Sequence, residues 1–420
     1  MLEYGLNLRQ RRTAAALFIA AAIITGALFG APLAGSAQQT PAATQQRPRR
    51  VGNGTPAPSQ NREDSPPANQ TSLPEEVGED EVVRVETQLV TIPLVVTDRA
   101  GRLLANLRAD SFLVFEDGRP QKISAFATTE APFEVALLLD TSGSTRADVS
   151  LIRSAANAFI NALRPGDRVA LLAFNTAQGD ASQLADVEIV TQLTSDREAL
   201  REGVERIGSS NGTPFYDALE KVAKEVFGQP PAPELRGRRA LVALTDGVDS
   251  SSAAEYATAR NDITRQGIAC YFIQINTEDF VEDRLLQDCA DDGSLRLSRT
   301  QLQRYRQLFL PRADAADYSD FCRLGQFQRM QISRELYRLA RKEMDDLARV
   351  SGGKTFPTAN LQDARRAFAQ VAQEIGTQYS LGYYPTNKAR DGSFRRIRIE
   401  VKGVAGAQVR AREGYYAPKG

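Results

Sequence analysis

Five oxygen-bearing side chains stand beside the ends of predicted strands and helices, and their types suit one kind of chemistry. They comprise two carboxylates and three hydroxyls: Asp140, Ser142, Ser144, Thr213 and Asp246. Such oxygens are hard donors that suit octahedral Mg²⁺ and tolerate Mn²⁺ or Ca²⁺. Two carboxylates only neutralise the ion, so a coordination position left open would favour an acidic group from outside. The pattern therefore predicts a metal site that takes up a ligand carboxylate.

A parallel sheet would bring these five groups together. Four apolar segments are typical of strands buried on both faces, with helix-period segments between them: 135–139, 169–174, 241–244 and 268–275. Asp140 and Asp246 follow two of these strands, and Thr213 is expected to cap a helix that begins with Pro214. The carboxyl ends of parallel strands line the ligand crevice. We therefore predict an α/β fold with a doubly wound, mostly parallel sheet.

The chain contains no histidine, and this excludes several catalytic sites. A Ser-His-Asp relay cannot be built, so the run 208–212, which matches a nucleophile elbow, predicts only a loop. Asp140 resembles the start of an aspartate-phosphatase motif, but Ser142 replaces the second aspartate. We therefore expect no enzyme activity. The 52 basic and 52 acidic residues argue against nucleic-acid binding through a large basic field.

At these residues the sequence resembles the metal-ion-dependent adhesion site of the von Willebrand factor type A (vWA) domain. The resemblance covers about residues 133–376 in element order and implies a Rossmann-like fold. In that family the two serines and the threonine of the motif contact the metal, while the aspartates act largely through water. A carboxylate of the bound protein partner completes the shell. The resemblance thus implies Mg²⁺ as cofactor and a protein ligand that offers an acidic residue.

Short alternating strands flank the α/β region over residues 82–131 and 378–420. Because three strands precede this region and three follow it, we predict that both ends form one small β-sandwich around a vWA domain at 132–377. The flanks resemble the exported bacterial, acidobacterial-type branch of the family. That resemblance rests on Phe115-Glu116-Asp117-Gly118 and on the segment 379–384.

A helical segment at about 278–342 departs from the usual vWA pattern. It is rich in Arg, Gln and Asp, and it leaves from the end of the predicted strand 268–275. In a parallel sheet the carboxyl end of that strand lies on the same edge as Asp140 and Asp246. We hypothesise that this insertion flanks or partly covers the metal face and restricts which partner reaches it.

Residues 1–37 are predicted to be a signal peptide, because a basic stretch precedes the uncharged apolar run 14–30 and small residues lead to Ala37. The apolar run is at the short end for a bilayer span, so an uncleaved anchor in the inner membrane is the alternative. Residues 38–81 are rich in proline and lack aromatic residues, which predicts a disordered linker. We expect an exported protein, either periplasmic or secreted, that meets a membrane only through an uncleaved N-terminal segment.

Export also changes the interpretation of the three cysteines. Cys289 and Cys322 share a polar, helical segment and could pair in an oxidising compartment. Cys270 lies within an apolar run and is predicted to be a buried, free thiol.

The sequence thus predicts an exported adhesion or protein-binding module in which an acidic residue of a protein partner completes a bound Mg²⁺. Two alternatives stay open. One is a structural scaffold of an envelope complex, whose metal only stabilises the fold. The other is a metal-assisted hydrolase.

Overall fold

A computed structural model describes residues 89–128, 132–143, 145, 149–175, 185–230, 238–286 and 296–420. All of them belong to one compact unit, 81–420. Four subjects of the sequence predictions lie outside the described residues: Ser144, Cys289 and the segments 1–37 and 38–81. The apolar run 14–30 is among them. In the part of the chain that is described, no helix is long and apolar enough to cross a membrane.

The described residues form fourteen strands and eight α-helices. The strands are β1 (Val90–Thr97), β2 (Phe112–Glu116), β3 (Arg119–Gln121), β4 (Ile123–Ala127), β5 (Glu134–Leu139), β6 (Arg168–Asn175), β7 (Asp186–Thr194), β8 (Arg239–Thr245), β9 (Ala269–Ile275), β10 (Lys354–Thr358), β11 (Tyr379–Tyr383), β12 (Phe394–Val401), β13 (Gln408–Ala411) and β14 (Gly414–Tyr416). The helices are α1 (Val149–Ala162), α2 (Arg197–Arg206), α3 (Phe215–Lys221), α4 (Tyr256–Gln266), α5 (Glu278–Leu285), α6 (Arg299–Phe309), α7 (Gln326–Ser351) and α8 (Leu361–Gly376). A short π-helical turn, Val222–Val226, continues α3.

The central sheet has six strands in the order β10-β9-β8-β5-β6-β7. All neighbouring pairs are parallel except β6 and β7, which are antiparallel. Every residue of β5 and β8 is buried, because helices cover both faces of the sheet. One face packs against α1, α2 and α8, and the other against α3, α4 and the second half of α7. The predicted α/β fold with a mostly parallel sheet is confirmed.

The flanking strands come from both ends of the described chain and form two four-stranded sheets, in the orders β13-β1-β11-β4 and β14-β12-β2-β3. Strands from opposite ends pair directly, since β1 lies antiparallel to β11 and β2 lies antiparallel to β12. Residues of both sheets share one hydrophobic cluster, which includes Ile92, Val114, Tyr379 and Ile397. This cluster makes the two sheets a small β-sandwich.

Two local features differ from the sequence predictions. The turn Asp117-Gly118 joins β2 to the three-residue strand β3, and the chain then crosses to the other sheet as β4. Both turn residues have positive φ, 46° and 81°, which suits a tight two-residue hairpin. Edge strand β7 was not predicted, because its side chains are mostly half-buried or exposed and it lacks a continuous apolar run.

The segment between β9 and the second half of α7 has its own hydrophobic cluster, drawn from α5, α6, two short 3₁₀ turns and the first half of α7. Leu285, Leu302, Tyr318, Phe321 and Ile332 are buried in it. Cys322, which lies in this segment, is disulfide-bonded. Its predicted partner Cys289 lies outside the described residues, so that pairing stays a prediction. Cys270 in β9 is free and buried, as the sequence predicted.

Candidate functional site

Asp140 and Asp246 lie side by side because they follow neighbouring parallel strands. Strands β5 and β8 pair in a register that places Leu139 opposite Leu244, and the backbone N–H of Asp140 donates to the carbonyl of Leu244 at 3.0 Å. Asp140 follows the last residue of β5 and Asp246 follows the last residue of β8, so both lie at the carboxyl edge of the sheet. Sheet register thus brings the two predicted carboxylates together.

The carboxylate of Asp140 is fully buried and held from two sides. One oxygen accepts the backbone N–H of Ser142 at 3.0 Å, and the other accepts the hydroxyl of Thr245 at 2.6 Å. Burial and then the negative charge of Asp246 raise the pKa of Asp140 to about 7, although hydrogen bonds from Ser142 and Thr245 lower it. Two buried carboxylates at one place favour a cation between them.

Asp246 is oriented by a chain of hydroxyl groups. One of its oxygens accepts the backbone N–H of Val248 at 2.9 Å, and the other accepts the hydroxyl of Thr277 at 2.6 Å. The hydroxyl of Thr277 also lies 2.7 Å from that of Tyr337. Because the proton of Thr277 points to Asp246, Tyr337 must be the donor in the second bond. A tyrosine of helix α7 thus helps to position a candidate site residue.

Thr213 lies at the same edge and has a hydroxyl that is not used for folding. Its backbone N–H donates to the side chain of Ser250 at 2.8 Å, and its carbonyl accepts the backbone N–H of Ser250 at 3.0 Å. Among the residues that the structure describes, the hydroxyl of Thr213 has no hydrogen-bond partner. The side chain is therefore held in place with its oxygen available.

The prediction that Thr213 caps helix α3 is wrong. Pro214 occupies the N-cap position, and its side chain accepts no hydrogen bond from the backbone N–H groups of the helix. Asp249 does so instead, because its carboxylate accepts the backbone N–H groups of Phe215 at 2.9 Å and Tyr216 at 3.2 Å. Burial raises the pKa of Asp249 to about 6. The cap comes from the loop after β8, a tertiary contact that frees the hydroxyl of Thr213.

The loop after β5 is a tight turn closed by Thr145. Its hydroxyl donates to the carbonyls of Asp140 at 3.0 Å and Ser142 at 3.1 Å. The backbone N–H of Ser210 donates to the carbonyl of Thr141 at 2.8 Å, which joins the 208–212 loop to this turn. Ser142 is buried within the turn, whereas Ser144 lies outside the described residues.

Three of the predicted ligands, Ser142, Thr213 and Asp246, line one cavity of about 90 Å³, and Asp140 lies behind it, fully buried. The other lining residues come from the adjoining loops and from the insertion: Gly143, Asn211, Gly212, Val248, Ser250, Val281, Arg296, Leu297, Gln301, Ser333, Leu336 and Tyr337. The cavity therefore lies between the carboxyl edge of the sheet and the helices of the insertion.

The donor set of this cavity fits a hard divalent cation. It combines the hydroxyls of Ser142 and Thr213 with two carboxylates, each oriented by hydrogen bonds. No group of three or more His, Cys, Asp or Glu residues that could hold a metal lies among the described residues. An ion at this site would therefore depend on hydroxyls as much as on carboxylates.

Sequence reasoning missed four residues that support the site: Thr245, Asp249, Thr277 and Tyr337. Thr245 could have been found, because it precedes Asp246 and lies opposite the end of β5 in a parallel pair. Thr277 also follows a buried strand, β9, at the same sheet edge. The role of Tyr337 could not be predicted from local sequence, because Tyr337 and its partner Thr277 are 60 positions apart in the chain.

Comparisons with solved structures found distant similarities. A von Willebrand factor type A protein from Catenulispora acidiphila is 14% identical, with 80% of this chain and 75% of that chain covered and a TM-score of 0.37. Proximal thread matrix protein 1 of the mussel byssus is 14% identical, over 53% of this chain and 50% of that one, with a TM-score of 0.29. The VWA domain of SpRpn10 is 16% identical, with 34% of this chain and 76% of that chain covered and a TM-score of 0.26.

No curated protein sequence matches the chain. Residues 135–248 match the family model of the von Willebrand factor type A domain. This match contains all five candidate site residues, the strands β6, β7 and β8, and all of β5 except its first residue. At residues 135–248 the chain therefore contains a von Willebrand factor type A domain.

Proposed function

We propose that this chain is an exported protein-binding module whose vWA domain holds Mg²⁺ and whose partner completes the metal shell with an acidic residue. Domains of this family generally mediate protein–protein interactions. The residues that would hold the ion are Asp140, Ser142, Ser144, Thr213 and Asp246. When bound, Mg²⁺ supplies the positive charge that attracts a carboxylate.

Within this proposal the side chains have different roles. The hydroxyls of Ser142, Ser144 and Thr213 would hold the ion directly. Asp140 and Asp246 would act largely through water and balance the charge, which agrees with the two hydrogen bonds that fix each carboxylate. Neutral hydroxyls quench the ion little, so it keeps its attraction for an external carboxylate.

The hydroxyl of Thr213 is the observation that carries the proposal. It belongs to a residue that is only 5% exposed, it lines the same cavity as Ser142 and Asp246, and it has no hydrogen-bond partner among the described residues. The oxygen is not one of the fully buried, unpartnered side-chain atoms of the described residues, so it is accessible from the cavity. A metal ion in the cavity could therefore take it as a ligand.

We propose binding rather than catalysis. The described residues that line the cavity include no histidine, lysine or cysteine. The usual partners that activate a serine or threonine nucleophile are therefore missing from that lining. For export, the support is the sequence of residues 1–37, which lie outside the described part of the chain, together with the disulfide at Cys322.

The test is capture of partner proteins from envelope extracts by the immobilised full chain, in Mg²⁺ and in EDTA. We expect a set of proteins that is captured only in Mg²⁺ and is lost with Thr213→Val, which keeps the shape of the side chain and removes the hydroxyl. Thr258→Val, at an exposed position of α4, is the matched control and should capture the same set.

Circular dichroism of the same samples separates the alternatives. An unchanged spectrum in EDTA with loss of capture supports adhesion, whereas unfolding in EDTA supports a purely structural metal. Equal capture in Mg²⁺ and EDTA would overturn the proposal.

A further inference from the structure

The insertion and the vWA domain make opposite walls of the candidate metal cavity. Ser142, Thr213 and Asp246 lie on the side of the sheet edge, and Leu297 and Leu336 lie on the side of the insertion. We infer that the insertion turns the metal face into a narrow recess that admits one acidic side chain of a partner protein, carried on a loop or a chain end. The inference rests on the proposed function and names the form of its partner.

The size of the recess supports a single side chain. It measures about 90 Å³. A protein cavity of about 150 Å³ holds one benzene molecule, and pockets for drug-sized ligands measure roughly 300–1,000 Å³. A bound ion would occupy part of the recess. What remains fits a carboxylate with one or two methylene groups, which is the side chain of aspartate or glutamate.

The walls match such a side chain chemically. The sheet edge offers polar groups and the candidate metal site, while Val248, Val281, Leu297 and Leu336 supply apolar surface. Methylene groups would contact this apolar surface as the carboxylate reached the ion. Arg296, an exposed cation that also lines the recess, adds attraction for a negative group.

The wall formed by the insertion is attached firmly to the domain beneath it. Glu343 of α7 accepts the hydroxyl of Tyr216 of α3 at 2.8 Å and pairs with Arg304 of α6 at 2.6 Å. The side chains of Arg304 and Glu343 are only 15% and 12% exposed, so water screens this ion pair little. The guanidinium of Arg304 also stacks 4.5 Å from the ring centre of Tyr216.

A second attachment lies directly behind the candidate ligand Asp246. Gly247 has a positive φ of 74°, and a Cβ atom there would lie 2.7 Å from the Met344 side chain of α7. Together with the bond from Tyr337 to Thr277, this packing places α7 against the site loop. The recess is therefore a built part of the fold.

The test measures how two small carboxylates change Mg²⁺ affinity. Isothermal titration of the full chain with Mg²⁺ is repeated in chloride, in acetate and in pivalate at matched ionic strength. Acetate has the shape of an aspartate side-chain end, whereas pivalate carries the same charge on a bulky branched carbon. We expect acetate to tighten Mg²⁺ binding by about fivefold or more at saturation and pivalate to leave it unchanged.

Two variants of helix α7 change the size of the recess in opposite directions. Ser333→Leu fills it and should abolish the effect of acetate while Mg²⁺ still binds in chloride. Gln331→Leu, at an exposed position two residues away, should behave as the unmodified chain does. Leu336→Ala widens the recess and should let pivalate tighten Mg²⁺ binding, a gain that damage to the fold cannot produce.

The outcomes separate this inference from the proposed function. If Mg²⁺ does not bind the unmodified chain in chloride, the proposed function fails and the inference fails with it. If Mg²⁺ binds but pivalate acts as strongly as acetate, or acetate still acts on Ser333→Leu, the metal site stands and the narrow recess is wrong. If Ser333→Leu does not fold, the response of Leu336→Ala to pivalate decides.

Discussion

The hydroxyl of Thr245 donates a 2.6 Å hydrogen bond to the carboxylate of Asp140 across two neighbouring parallel strands. Thr245 is the last residue of β8, and Asp140 is the first residue after β5, so the sheet register itself creates the contact. Both side chains are fully buried. The bond stabilises the charged form of Asp140, which is the form that the proposed metal site requires.

Replacing Thr245 by valine should weaken Mg²⁺ binding. The change keeps the shape of the side chain but removes a donor to a buried carboxylate, which costs about 1–3 kcal/mol. We expect the Mg²⁺ dissociation constant to rise about tenfold, measured by isothermal titration. Thr264→Val, which removes a hydroxyl that donates to a helix carbonyl in α4, should leave the constant unchanged. Equal affinity in both variants would mean that Thr245 does not support the site.

Stability without metal should depend on pH through Asp140. Its pKa is raised from 3.8 to about 7, so between these values the folded protein binds more protons than the unfolded chain. The protein's free energy of unfolding in EDTA should therefore fall as pH rises from about 4 to about 7 and level off above that. Mg²⁺ must displace the proton, so Mg²⁺ affinity should fall below about pH 7.

Urea unfolding in EDTA at several pH values, and Mg²⁺ titrations at the same values, check both statements. Asp140→Asn should flatten the stability profile over this range. The same pH dependence in that variant would assign the effect to another group.

Asp249→Ala should destabilise the fold through the start of helix α3. The variant loses the bonds from the carboxylate to the backbone N–H groups of Phe215 and Tyr216. Loss of such a cap costs about 1–2 kcal/mol, which urea unfolding in EDTA would measure. Asp283→Ala, at an exposed position of α5, is the control and should change stability little. A similar loss in both variants would contradict the assignment of the cap.

Glu116→Gln should destabilise the β-sandwich strongly. Glu116 and Arg395 form an ion pair at 3.3 Å, and both side chains are 2% exposed. The hydroxyls of Tyr383 and Tyr415 also donate to Glu116 at 2.6 and 2.9 Å. Removing the charge leaves buried Arg395 with two backbone carbonyls and only a 3.9 Å contact to the half-exposed Asp391 carboxylate, at a cost of about 3–5 kcal/mol.

The control for this prediction is Glu400→Gln, which removes the surface ion pair with Arg398 in β12. Exposed pairs contribute about 0–1 kcal/mol, so urea unfolding should separate the two variants clearly. If they are equally stable, strands from the two ends of the chain are not held together by the buried pair.

The sheet and its aspartates could be predicted because their signals are local. Strands covered on both faces read as continuous apolar runs, and the residue that follows such a strand must lie at the sheet edge. Asp140 and Asp246 satisfy both conditions. The same logic did not find β7, whose half-buried side chains give no continuous run.

The rest of the site depends on contacts that sequence spacing does not reveal. Thr213 stands at the start of a helix, as the sequence suggested, but Asp249 occupies its capping role from 36 residues away. The contact between Tyr337 and Thr277 likewise depends on how the insertion folds back over the sheet edge. Local sequence propensity predicts that a helix starts here, but tertiary packing determines which side chain caps it.

Isothermal titration of the full chain with Mg²⁺ measures directly whether this edge of the sheet holds a metal ion. We expect one bound ion in the unmodified chain. We also expect Thr213→Val and Asp246→Asn to weaken binding about tenfold or more while circular dichroism shows an unchanged fold. Thr258→Val should bind as the unmodified chain does. Absence of Mg²⁺ binding, or the same affinity in all four proteins, would contradict a metal site at this edge of the sheet.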